Sequence, residues 1–184
     1  MKTTTTMLLA GAMAVAAAAP AAAADFKPDG ISAQVGFGKH GTRMAGVGLV
    51  WDWDFEALRR KAELTAHTEL MVNRWRHEAV GGGNDALTQL VVLPSLRMRL
   101  DRGASPWFIS LGIGASWFDR DFETPRKRFS TRWNFYDTVG VGYSFGGAAS
   151  PQEVGLRWVH VSNGGVRHPN PGQDFLQLRY VHRF

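Results

Sequence analysis

The chain has 184 residues, 45% of them hydrophobic, a formal net charge of +5 and no cysteine. Without cysteine it can build neither a disulfide nor a thiolate metal site. A basic chain that carries an export signal points to anionic lipid headgroups and away from nucleic acid.

The first 24 residues, MKTTTTMLLAGAMAVAAAAPAAAA, read as a secretory signal. Lys2 is the charged start, Met7 to Ala19 the apolar run, and Ala22-Ala23-Ala24 the small-residue end, with cleavage expected after Ala24. The alternative, an N-terminal anchor, needs a longer apolar run. Cleavage leaves 184 − 24 = 160 residues, enough for one domain over residues 25–184. Beyond the signal no apolar run reaches about 18 residues, so a transmembrane helix is not expected. A chain that crosses a membrane without one must close a β-barrel, because every backbone polar group needs an internal partner.

Eight segments alternate with period two, each with one apolar face. They run Ile31 to Gly38, Ala45 to Trp53, Ala62 to Trp75, Thr88 to Leu100, Trp107 to Trp117, Trp133 to Phe145, Glu153 to Asn163 and Asp174 to Phe184. The fifth sets Trp107, Ile109, Leu111, Ile113 and Ala115 against Ser110, Gly112, Gly114 and Ser116. Strands of about ten residues with apolar-out, polar-in parity fit an all-β fold, an eight-stranded antiparallel transmembrane β-barrel of the outer membrane. Trp and Tyr near segment ends are expected at the two membrane interfaces. A soluble barrel or sandwich is the competing fold, but the apolar face is too aromatic and continuous to fill one small core.

Side chains fill the interior of an eight-stranded barrel. Asp52, Glu63, Glu69, Arg97, Arg99, Arg157 and Arg179 fall on the inner parity and are expected to pair with one another. Glycines at 46, 48, 112, 114, 140 and 142 leave room for large inward neighbours. Gly140-Val141-Gly142 mimics a phosphate-loop fragment, but no helix follows it. An even strand number puts both termini on the periplasmic side. Residues 39–44, 76–87, 119–132 and 164–172 are then extracellular, and 54–61, 101–106 and 146–152 are periplasmic turns. The longest outer loop holds Arg126, Lys127, Arg128 and Arg132, either a solvated charged loop or a contact for lipopolysaccharide phosphates.

The last two segments carry the chemistry. Val154, Leu156 and Trp158 are lipid-facing, and the same parity continues to His160 and Ser162. On the eighth segment, Leu176, Leu178, Tyr180, His182 and Phe184 share the parity of Asp174. Asp174 lies roughly 25 Å above the terminus, near the outer headgroup boundary. A turn centred near His168 sets Ser162 opposite Asp174, with His160 diagonal to it; a slip of two residues is expected to loosen this contact. Ser162 needs a base, His160 can take its proton, and Asp174 can fix the imidazole tautomer. Asn170 and the Gly165 backbone are the oxyanion candidates. A lone His-x-Ser is weak evidence, and a polar interfacial His160 is the plain alternative. Three such groups on a lipid-facing parity are costly, which favours function. His40, His67, His77, His168 and His182 show no metal-ligand spacing.

From His160-Val161-Ser162-Asn163 through Gly165, Pro169-Asn170, Gly172 and Asp174, the chain resembles the PagL family of lipid A 3-O-deacylases. The eight-strand plan and the terminal aromatic fit as well. The resemblance implies a serine esterase that hydrolyses the ester-linked acyl chain at the 3-position of lipid A and needs no cofactor. It assigns Ser162 as nucleophile, His160 as base, Asp174 as the acid, and Asn170 and Gly165 as the oxyanion site. The partners it implies are lipid A and the outer membrane, with no nucleic acid and with a homodimer left open. The family's usual acid is Glu; Asp174 is one methylene shorter, so its contact to His160 is expected to stretch unless the strands shift. The competing functions are a non-enzymatic adhesion or stabilising barrel and a different lipid enzyme.

Overall fold

Alternation along the sequence becomes a cylinder because each strand must satisfy its backbone on both edges. The computed structural model describes residues 26–54 and 62–184. The expected signal peptide and most of the expected turn at 54–61 lie outside these residues. The strands are β1 (Gly30–Gly38), β2 (Arg43–Asp52), β3 (Glu63–Glu78), β4 (Asn84–Arg99), β5 (Trp107–Phe118), β6 (Trp133–Ser144), β7 (Gln152–Ser162) and β8 (Gln173–Arg183). Each pairs antiparallel with the next, and β1 pairs with β8 to close the barrel. The end opposite the described termini, called the upper end here, carries the longest loop, as the extracellular end of such barrels does.

Two expected outer loops are shorter than the alternation suggested. β3 and β4 pair from Glu63↔Arg99 up to Glu78↔Asn84, so only residues 79–83 are left to turn. The β1–β2 connection shrinks to residues 39–42. The added residues include Arg43, Arg76, His77, Glu78, Asn84 and Asp85, whose polar character on both faces interrupts the apolar alternation.

The interior is layered. Near the termini, Glu153 accepts from Arg97 (2.7 and 2.8 Å), Arg99 (3.0 Å) and Arg183 (2.6 Å). Arg183 also reaches Asp52 (2.6 Å), which sits at the rim and is partly exposed. At mid-height, Glu69 takes Arg157 (2.8 Å) and Arg179 (2.9 Å) on its two oxygens. The expected pairing of inward charges is therefore present. The glycines serve as expected: a Cβ on Gly142 would run into the Phe108 ring, over which Arg97 and Arg99 stack.

The upper interior departs from expectation. It is an aromatic core of Trp75, Phe118, Phe122, Phe129 and Phe175, with Trp75 making edge contacts at 4.6 to 5.5 Å to three of them. Trp75 ends the third alternating segment, yet it lies inside the barrel rather than at an interface, fully buried, its indole N–H donating to Gln89 (3.0 Å). Strand parity places it inward, and parity outranks the general preference of Trp for membrane interfaces. Phe122 and Phe129 come from the loop read as charged. That loop folds as a small hairpin, Phe129 N donating to Phe122 O (3.0 Å), and plugs the barrel from above.

Candidate active site

Around β7 the alternation is unbroken: Val159 and Val161 are buried inside, while Leu156 and Trp158 are about half exposed on the wall. His160 and Ser162 continue the outward parity at the upper end. The His160 imidazole stacks on Trp158 (centroids 5.6 Å, planes 17° apart), which fixes one face of the ring.

The register differs from the one expected. His160 is directly opposite Asp174, and Val161 is opposite Gln173. The hairpin is centred one residue earlier than expected, at Arg167, so the two strands are slipped by two residues. The slip tightens the contact instead of loosening it: His160 Nδ1 and Asp174 Oδ1 are 2.7 Å apart. Directly opposed residues have their Cβ atoms about 5 Å apart, which a short carboxylate spans. The stretched contact expected for Asp in place of Glu is absent for this reason. Gly172 also lies against the ring; a Cβ there would sit 2.8 Å from His160 Cε1.

Ser162 is only 8% exposed. Its Oγ accepts from the Gly164 amide at 3.4 Å, and among the described residues no hydrogen bond joins it to His160. The turn above it is organised by Asn163. The Asn163 carboxamide donates to Arg167 O (2.7 Å) and Ser130 Oγ (3.1 Å) and accepts from the Gly165 amide (3.0 Å). The Asn163 amide donates to Asn170 Oδ1 (3.0 Å), which leaves the Asn170 NH₂ group as a donor. Of the two oxyanion candidates, Asn170 is therefore open, while the Gly165 amide is occupied.

The plug loop braces this hairpin. Lys127 Nζ donates to Gly172 O (2.8 Å) and Gln173 Oε1 (3.2 Å), and Ser130 Oγ donates to Arg167 O (2.8 Å). Burial pushes the Lys127 ammonium below its usual pKa, and the Asp174 carboxylate opposes that shift.

One carboxylate escaped the sequence reading. Asp137 lies on the lipid-facing parity of β6, directly opposite His160 on the side away from Asp174. The signal was present: the outward run Phe135, Asp137, Val139 holds a single acid. His67 and His77 are buried in the interior. Among the described residues no group of three or more His, Asp or Glu side chains is arranged to hold a metal ion.

Comparison with known proteins gives the family. The family described as lipid A 3-O-deacylase (PagL) matches residues 43–183. Lipid A deacylase PagL of Bordetella bronchiseptica is 28% identical over 158 residues, covering 84% of this chain and 83% of that protein. The Pseudomonas aeruginosa protein of the same name is 28% identical over 151 residues, covering 82% and 83%. The crystal structure of the outer membrane enzyme PagL superposes with a TM-score of 0.71 at 26% identity, covering 84% of this chain and 99% of that one. The chain is an outer-membrane β-barrel that belongs to the PagL family of lipid A 3-O-deacylases.

Proposed function

We propose that this protein removes the 3-hydroxyacyl chain from the 3-position of lipid A by a serine-esterase mechanism with Ser162, His160 and Asp174. The observation that carries the reading is the 2.7 Å contact of Asp174 with His160 Nδ1 on the lipid-facing wall, one pleat below Ser162. With Nδ1 committed to the carboxylate, the imidazole offers Nε2 as the base. His160 takes the Ser162 proton as Oγ attacks the ester carbonyl. It then returns that proton to the departing sugar oxygen, leaving an acyl-enzyme. Water, deprotonated by His160, releases the fatty acid and restores the serine. The Ser162–His160 bond closes with substrate in place, as catalytic hydrogen bonds tighten in such complexes.

The Asn170 NH₂ group is the oxyanion donor in this scheme. The Gly164 amide, already directed at Ser162 Oγ, is the second donor. Gly165 would first have to give up its bond to Asn163. The substrate reaches the site from the leaflet itself, since all three catalytic side chains leave the wall on the acyl-chain side. Cleavage of the leader after Ala24 and one domain over residues 25–184 belong to the same proposal, and the intact mass of the mature protein tests the cleavage.

Mass spectrometry of lipid A from cells expressing wild type or Ser162→Ala tests the reaction. Wild type should lose one 3-hydroxyacyl chain per lipid A, and Ser162→Ala none. Intact lipid A beside a folded wild-type barrel would point instead to a non-enzymatic barrel. Release of phospholipid fatty acids would point to a different lipase.

A further inference from the structure

The cations of the plug loop are largely taken. Arg126 pairs with Glu78 (2.6 Å), Arg132 with Asp121 (2.8 Å), and Lys127 holds the catalytic hairpin. A different set of arginines stands on the outer wall. Arg43 of β2 and Arg74 and Arg76 of β3 all lie on the lipid-facing parity at the upper end, exposed between inward residues such as Met44, Trp75 and His77. Arg43 is directly opposite Arg76, and Arg74 is opposite Ala45 one pleat below. Like charges in that position repel, and cations on a lipid-facing wall are costly. Among the described residues neither the Arg43 nor the Arg76 guanidinium has a hydrogen bond or ion pair. Arg74 donates to Thr88 (2.9 Å) and lies 4.0 Å from Asp119.

Directly beneath these arginines the wall is hollowed into a groove of ≈ 640 Å³. Ala33 and Ala45, each directly opposite a valine (Val47 and Val35), form its floor, and the flanking strands carry larger residues beside the two alanines. Val72 flanks it on one side and Leu178 and Tyr180 on the other, with Arg74 and Thr88 at its head. An apolar trough under a guanidinium cluster matches an acyl chain hanging from a phosphorylated headgroup. Arg grips phosphate through its planar fork of donors.

We propose that this wall holds a second lipid A molecule, its phosphates on Arg43, Arg74 and Arg76 and one acyl chain in the groove. Arg43 and Arg76 stand about 5 Å apart at their Cβ atoms, with Arg74 roughly 7 Å further along the strand. That spread suits a headgroup with more than one phosphate better than a phospholipid with one. Strands β8 and β1 separate Ser162 from Arg43, three strand spacings or roughly 14 Å along the wall. The bound lipid is therefore a neighbour of the substrate and not the substrate. The proposal goes beyond the deacylase reading and shares with it only the leaflet.

Native mass spectrometry of the full mature protein with added lipid A tests the site, using Ser162→Ala so that the lipid is not consumed. The same protein with Arg43→Ser, Arg74→Ser and Arg76→Ser should bind one lipid A fewer. Ala45→Trp in the Ser162→Ala background, which fills the groove and keeps the arginines, should also lose that lipid. Heat-modifiable electrophoretic mobility reports that each barrel is folded. Unchanged stoichiometry in the Ala45→Trp protein overturns the proposal, whatever the arginine variant does. So does displacement of the arginine-dependent lipid by an equal concentration of phosphatidylglycerol. A wild type that leaves lipid A intact, while the inactive protein still binds this extra lipid, would sink the deacylase reading alone. An active wild type without arginine-dependent lipid would sink this one alone.

Discussion

At Asp174 a single methylene decides the geometry of the imidazole. Because His160 and Asp174 are directly opposed, the shorter acid makes the 2.7 Å contact without strand movement. Asp174→Asn keeps the shape but removes the charge and favours the wrong tautomer, so deacylation should fall by about 10³- to 10⁴-fold. Asp174→Glu must fold an extra methylene into the same gap. It should retain more activity than Asp174→Asn in an assay of released 3-hydroxy fatty acid. Gly172 is the second residue on which the ring depends. Its φ of +64° suits glycine, and a Cβ there would press on His160 Cε1. Gly172→Ala should displace the imidazole and cost about 10²-fold in rate, the usual penalty for a misplacement near 1 Å. The barrel should still fold, which heat-modifiable mobility would read.

The β7–β8 hairpin and the plug loop act as one element. Asn163 ties the hairpin to itself through Arg167, Gly165 and Asn170, and to the plug through Ser130. Lys127 and Ser130 close the connection from the other side. Asn163→Ala should leave partners unsatisfied at a cost of about 1–3 kcal/mol. Faster amide exchange confined to residues 163–172, together with reduced deacylation, would register it. Unchanged exchange there would show that the hairpin holds its shape without this side chain. The plug thus has two attachments, aromatic to the barrel core through Phe122 and Phe129 and polar to the β7–β8 turn. This explains why a loop rich in charge also contains buried phenylalanines.

For the molecule as a whole, the ionic layer and the proposed catalytic triad occupy opposite ends of the cylinder. Glu153 holds Arg97, Arg99 and Arg183 near the termini, far from Ser162 at the top of the same strand. Glu153→Gln strands buried guanidinium charge, which costs about 3–5 kcal/mol. The temperature at which the folded band converts to the unfolded one should fall, while activity of the remaining folded protein stays near wild type. A parallel loss of activity at low temperature would show that the ionic layer and the catalytic hairpin are coupled. The outer wall has its own division, with the proposed triad on β7 and β8 and the arginine-topped groove centred on β1 to β3.

Strand number, the lipid-facing side of each strand and the shared outward parity of His160, Ser162 and Asp174 are written in the alternation of the chain. These are local properties, because side chains alternate along a strand whatever its neighbours do. How far β8 slides along β7 was set by the folded barrel. Every slip by two residues preserves the same faces, so alternation cannot distinguish Ser162 from His160 as the partner of Asp174. Closure settled the rest. The turn committed the Gly165 amide to Asn163, and the pairing of β6 with β7 brought Asp137 beside His160. The open top of the barrel drew in Phe122 and Phe129 to cover Trp75. Each outcome depends on residues far apart in the chain meeting around one ring of strands, which no single segment records.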